Sequence, residues 1–339
     1  MRFRPLLLLL PVLLAACAKT DTPVRLDFIG TTGLTSGNRT VQANDTLTTR
    51  AYAASRDNDL RRLRVTVKYE PTRNPIIYPS PISSYDPTKT PNDDALTYLD
   101  SVLTVASPPT ATFTGRELLL PNQFVARATS GTELWQYTAT DTDGQSASRA
   151  LRVTVRKADS AQVYHSYTAL LRPVVPTSPA APAPVRDRAR VFLNLRTGLL
   201  LPKYALINNE NSLQANQLLI DLICLSRSNT VSLSAPAASR VLTLSAGTWP
   251  VANRRATRLR RTSLSTTEFD NVKTSALLAT AFSNGTRFTD SLSTGTLTKG
   301  QVIAFRTIED NTERTGLLLI SDLVLGTAPT LTCTVRVQK

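Results

Sequence analysis

The sequence predicts an all-β protein built from two sandwich domains. Three observations carry this expectation. Leu63, Val65, Val67 and Tyr69 alternate with Arg62, Arg64, Thr66 and Lys68, the period-two pattern of a strand with one buried and one wet face. Trp135, Tyr137 and Ala139 alternate with Gln136, Thr138 and Thr140, and Leu151, Val153 and Val155 alternate with Arg152, Thr154 and Arg156. The turn Asp141-Thr142-Asp143-Gly144 joins these last two runs into a hairpin. Long runs with helical spacing are rare, and hydrophobic content is 41%, enough for real cores.

The elements follow in order. Arg2 and Arg4 precede the apolar run Leu6 to Leu10, which is shorter than the roughly 20 residues of a membrane-spanning helix. Leu14-Ala15-Ala16-Cys17 then closes the segment and resembles a bacterial lipobox. That resemblance implies cleavage after residue 16, diacylglyceryl and acyl groups on Cys17, and a lipid anchor. Ala18 after the cysteine resembles lipoproteins sorted to the outer membrane. Residues 17–23 are then an acylated cysteine and a short tether.

Residues 24–157 read as the first sandwich. The stretch from Gly131 to Ser146 resembles the last hairpin of an immunoglobulin-like or PKD-like domain, which places Trp135 and Tyr137 in a sandwich core. A Pro- and Tyr-rich insertion at 70–95 departs from that pattern, and its prolines exclude a central strand. It is either a recognition lobe or an inert loop.

Residues 158–339 read as the second sandwich. Residues 158–170, with Val163, Tyr164 and Tyr167, read as a connecting strand, and a Pro-rich loop spans 173–185. Strands are expected at Val191–Leu195, Leu218–Leu225, Val231–Leu233, Val302–Thr307, Gly316–Ile320 and Leu331–Val337, with one short helix between Glu268 and Phe282. The pieces Leu195-Arg196-Thr197-Gly198, Leu219-Ile220-Asp221-Leu222 and Gly300 to Thr307, with Gly316-Leu317-Leu318 and the closing Thr334 to Lys339, resemble the C-terminal half of surface lipoproteins from Bacteroidota-type bacteria. That resemblance implies a Greek-key sandwich without enzyme activity.

Chemistry is sparse. His165 is the single histidine, so a Ser-His-Asp site would have to use it, and no Gly-x-Ser-x-Gly elbow is present. P-loop and dinucleotide fingerprints are absent, and no cofactor or metal is expected. Asp57-Asn58-Asp59 and Asp141 to Gly144 carry calcium-type oxygens, but turn formation explains both. Carboxylate candidates are Asp93-Asp94, Asp221 and Glu309-Asp310. Asp221 interrupts an apolar run, so it should meet an Arg, a hydroxyl or water. Cys224 and Cys333 both point inward and are either a disulfide or two small apolar core residues.

Formal net charge is +14, which favours anionic partners, although nucleic acid is not one expected for an exported chain. Trp249 sits between Thr248 and Pro250, as in a loop, beside the densest basic run: Arg254, Arg255, Arg258, Arg260 and Arg261. An exposed Trp249 with these arginines would suit an acidic glycan. The expectation is therefore a non-catalytic, lipid-anchored envelope protein at the outer membrane, on its periplasmic face or at the cell surface, acting as a binding or adhesion module for an anionic glycan. The alternatives are a scaffold for other envelope proteins and, more remotely, a glycoside hydrolase using two carboxylates alone.

Overall fold

The computed structural model describes residues 22–70, 72, 94–104, 112–155, 164–173, 190–206, 213–238, 249–309 and 311–339. The leader, Cys17, and most of the 70–95 insertion and of the Pro-rich loop lie outside the described residues. Of the described residues, 52% are in strands and 11% in helices, so the chain is all-β, as its alternating runs require. Among these residues no helix is long and apolar enough to cross a membrane.

The first half contributes eight strands among its described residues: β1 (Val24–Phe28), β2 (Arg39–Val41), β3 (Thr46–Ser55), β4 (Leu60–Glu70), β5 (Leu96–Val102), β6 (Glu117–Val125), β7 (Gly131–Asp141) and β8 (Ser146–Val155). One sheet has the order β1-β3-β6 and the other β2-β8-β7-β4-β5. β2 runs parallel to β8, so the N-terminal segment serves both sheets in turn. This is the strand order of an immunoglobulin-like sandwich. Leu63, Val65, Val67 and Tyr69 of β4 face the core, and Trp135 stacks 4.0 Å from Phe124 and 4.7 Å from Tyr98. The Asp-rich turn holds itself: Asp141 accepts from the backbone N–H of Asp143 and Gln145 at 3.1 and 2.8 Å. Asn58 donates to Asp143 at 3.0 Å, which latches the two calcium-like turns to each other. Among the described residues no acidic or sulfur cluster suited to a metal forms.

The second half continues with β9 (Tyr164–Leu171), β10 (Phe192–Leu193), β11 (Leu200–Leu201), α1 (Gln214–Gln217), β12 (Leu222–Arg227), β13 (Thr230–Ser234), β14 (Arg258–Arg261), α2 (Thr266–Asn271), α3 (Ser275–Asn284), β15 (Thr286–Arg287), β16 (Val302–Glu309), β17 (Thr312–Val324) and β18 (Thr330–Gln338). A sheet of order β11-β10-β12-β13 packs on one of order β15-β14-β16-β17-β18-β9. The larger sheet is covered on both faces. Ile303 and Phe305 of β16 face the smaller sheet, whereas Val302 and Ala304 pack with Phe269 and Leu278 of the helices. This double burial explains the continuous apolar run at 302–305.

Two expectations change here, and one alternative is decided. The single helix is two. Ser265 and Glu268 form a capping box at the start of α2, Val272 turns extended, and Thr274 caps α3. The strand expected from Leu218 starts at Leu222, because α1 and its following turn use Leu218 to Ile220. Cys224 and Cys333 are free, buried thiols in the apolar layer between the sheets of the second half rather than a disulfide. Burial raises both, Cys333 to about 12.

The halves share a core. Phe192, Leu201, Ile223 and Trp249 belong to the same apolar cluster as Trp135 and Tyr137. Tyr204 donates to Asn122 at 3.2 Å, and its ring lies 5.8 Å from that of Tyr98. Ala128 of the first half enters the second core. Gly198 (φ +70°) lies so close to it that a Cβ at Gly198 would stand 2.6 Å from the Ala128 Cβ, so only glycine fits.

Candidate functional site: a cleft on the seam

The site grows from a tight loop after β10. Asn194 Oδ1 accepts from the backbone N–H of Arg196 and Thr197 at 3.0 and 2.8 Å and from the Thr197 hydroxyl at 2.9 Å. The side chain thus fixes its own turn. The turn aims the Leu195 N–H at Asp221 Oδ2, 2.7 Å away. Asp221 is 0% exposed, and its other oxygen accepts from Arg255 Nη1 at 2.9 Å and from the Thr307 hydroxyl. The interrupted apolar run therefore finds both the arginine and the hydroxyl that its burial demands.

Arg255 continues the network. Its Nη2 donates to Glu309 Oε1 at 3.2 Å, and Arg196 Nη1 donates to Glu309 Oε2 at 3.1 Å. Two cations and two anions alternate through the seam. Burial raises the Asp221 carboxyl against the pull of Arg255. Burial also works to raise Glu309, but the guanidinium groups of Arg255 and then Arg196 prevail and hold it below the usual carboxylate range. Three short segments distant in sequence, 195–198, 219–222 and 300–307, supply Leu195, Arg196, Asp221 and Thr307, so they converge on one node.

This network forms part of the wall of a cleft of about 410 Å³. The edge of the first half, Asp94 to Thr97, makes one side; Ala215 to Leu219 of the second half makes the other, and Arg255 and Glu309 line it between them. Asn216 clasps the seam by donating to the Thr97 carbonyl at 2.6 Å and to the Ala205 carbonyl at 2.9 Å. Leu218 (48% exposed) lies at the cleft, and Asn253 of the turn that presents Val251 (70% exposed) donates to Gln217 beside it.

The basic run does not assemble as expected. Trp249 is 0% exposed, packed against Phe192, with Nε1 donating to the Asn253 carbonyl. It is a core residue of the seam and offers no surface platform. The reason is its bulk: Pro250 and the short turn after it fold over the indole, and Arg254 ties that turn down by donating to the Trp249 carbonyl at 3.0 and 2.8 Å. Arg258 is exposed on β14. Arg260 caps the carbonyls of Phe282 and Ser283 at the end of α3, and Arg261 lies over the Phe288 ring. Of the five arginines only Arg255 lines the cleft. Asp94, Asp221 and Glu309 were visible as acids in the sequence; Asp94 and Glu309 both line the cleft, and Asp221 lies buried behind it, joined to Glu309 through Arg255. Asn194, Arg196 and Asn216 gave no signal there, since their roles depend on a turn and a seam formed by distant segments.

No family model matches the chain, and no curated protein matches it. Among solved structures it is similar to a DUF4466 family protein from Parabacteroides merdae, at 13% identity over 94% of this chain and 99% of the other, with a TM-score of 0.31. It is also similar to Spo0M, a sporulation control protein from Bacillus subtilis, at 10% identity over 62% of this chain and 78% of the other, with a TM-score of 0.25. Function is therefore read from the cleft's own chemistry.

Proposed function

We propose that this chain is a non-catalytic envelope lipoprotein, held at the outer membrane by acylated Cys17, that binds a glycan in the cleft between its halves. The cleft itself is the observation that carries the reading. Its volume of about 410 Å³ lies in the range of roughly 300–1,000 Å³ typical of small-molecule sites. It mixes leucine surface with a few fixed polar groups, as such sites do, and it rests on a seam that is rigid because both halves contribute to one core.

Asp94 and Glu309 share the cleft, which is the feature a carboxylate hydrolase would need. Glu309, however, gives both oxygens to arginines and is held ionised, which suits a fixed acceptor and not a general acid. Asp221, whose carboxyl is raised, is fully buried behind the wall. Binding without turnover fits these commitments better.

Two experiments test the reading. Cells fed an alkyne-tagged fatty acid should label the protein, and Cys17→Ser should abolish the label and release the protein from membranes. An array of neutral and acidic glycans should return ligands that are bound and recovered uncleaved. An unlabelled wild-type protein removes the anchor, and a blank array removes the binding role.

A further inference from the structure

The charge around the cleft points to a ligand other than the acidic glycan that the basic composition suggests. Resting on the binding role above, we infer that the cleft takes an uncharged saccharide of one or two rings, with Arg255, Glu309 and Asn216 as its polar contacts. The positive charges of Arg196 and Arg255 are already matched by Asp221 and Glu309, and Asp94 adds a further negative charge at the cleft. Among the described residues a ligand carboxylate or phosphate would meet no surplus cation there and would lie near two carboxylates. The other arginines of the basic run are elsewhere: Arg258, Arg260 and Arg261 on β14, and Arg254 on the Trp249 carbonyl.

Hydroxyl groups, by contrast, find partners. A guanidinium carries about five N–H donors. Asp221 and Glu309 take one from each terminal nitrogen of Arg255, whose side chain keeps 15% of its surface exposed and lines the cleft. Glu309 supplies carboxylate lone pairs. Asn216 has spent its amine on the carbonyls of Thr97 and Ala205, leaving its oxygen as an acceptor. Planar donor and acceptor groups of this kind match the spacing of vicinal hydroxyls. Exposed Leu218 and half-buried Leu219 provide the apolar surface that the C–H faces of a sugar ring require, with Leu96 and Leu199 buried behind them. A peptide strand is disfavoured at the same place, because Asn216 already occupies the edge carbonyl of Thr97 on β5 that an added strand would use.

The test is calorimetric titration of the full mature lipoprotein in detergent with maltose, cellobiose, lactose and chitobiose, and with uronic-acid disaccharides. Ala215 is exposed and lines the cleft, so Ala215→Trp fills it without entering either core. At least one neutral disaccharide should bind, its uronic counterpart should bind at least about tenfold more weakly, and Ala215→Trp should abolish binding while the circular dichroism spectrum stays unchanged. Arg255→Lys should weaken the neutral ligand without transferring preference to the acidic one. Binding of uronic sugars alone, lost in Ala215→Trp, overturns the neutral ligand and leaves the binding role standing. Neutral binding that survives Ala215→Trp overturns the cleft as its location. No binding by any disaccharide overturns this inference, and the binding role falls with it only if the wider array is also blank.

Discussion

Arg255→Met tests the seam most severely. The substitution keeps most of the apolar stem and removes the cation that stands between two carboxylates. Asp221, 0% exposed, would keep its bonds from the Leu195 N–H and the Thr307 hydroxyl but lose its charge partner. Glu309 would keep Arg196. With Nη1 2.9 Å from Asp221 Oδ1, the charge centres lie about 4 Å apart, and at an effective dielectric of about 20 their attraction is about 4 kcal/mol. Breaking a buried pair by removing one partner costs about 3–5 kcal/mol, in agreement. Urea unfolding at pH 7, followed through the buried Trp135 and Trp249, should show a loss of that size with an unchanged slope. The loss should shrink as pH falls. Without Arg255 the folded state holds a proton on Asp221 more tightly than the unfolded chain does, so acid favours the folded variant down to the unfolded carboxyl value of 3.8. Asp221→Asn in the same background should recover part of the stability at pH 7. A loss below about 1 kcal/mol, or one that does not change with pH, would refute the assignment of a buried, charge-paired Asp221.

Three further outcomes are expected. Burial raises Glu133 to about 7 despite bonds from the Trp135 indole and the Arg127 N–H; the folded chain then holds a proton that the unfolded chain releases near 4.5, so stability should fall by about 3 kcal/mol between pH 4.5 and 7, and Glu133→Gln should flatten that slope in urea titrations. Because the halves share a core, calorimetry should give a single cooperative transition, and two separable transitions would contradict the shared cluster. Cys224 and Cys333 should react with a thiol reagent only after unfolding, with both then titrating; a protein whose unfolded, unreduced form shows neither thiol carries a disulfide instead.

The sandwich strands were legible because a half-buried strand writes its geometry into every second residue. β4, β7, β8 and β18 are read directly from alternation, and the inward face of Leu331, Cys333, Val335 and Val337 follows from it. The run from Leu218 misled for a physical reason. A buried helical turn feeding a buried strand is as continuously apolar as a long strand, and periodicity cannot separate the two. Trp249 misled because its sequence neighbours, Thr248 and Pro250, speak only of a loop, while burial of the indole comes from Phe192, distant in sequence. Asp221 was legible as an anomaly, since a carboxylate in an apolar run must find donors. Which donors it found was not, because Arg255 reaches it from the loop before β14 and Thr307 from β16.

A neutral sugar seated in the cleft would lie against the Arg255 guanidinium. Nitrogen-detected NMR of the arginine side chains observes this residue by residue. On titration with the neutral disaccharide that binds, the Arg255 Nε–H resonance and the Asn216 side-chain amide should shift together and saturate at one dissociation constant, while the Arg260 resonance stays still. Shifts confined to arginines outside the cleft, or an unmoved Arg255 at saturating sugar, would contradict it.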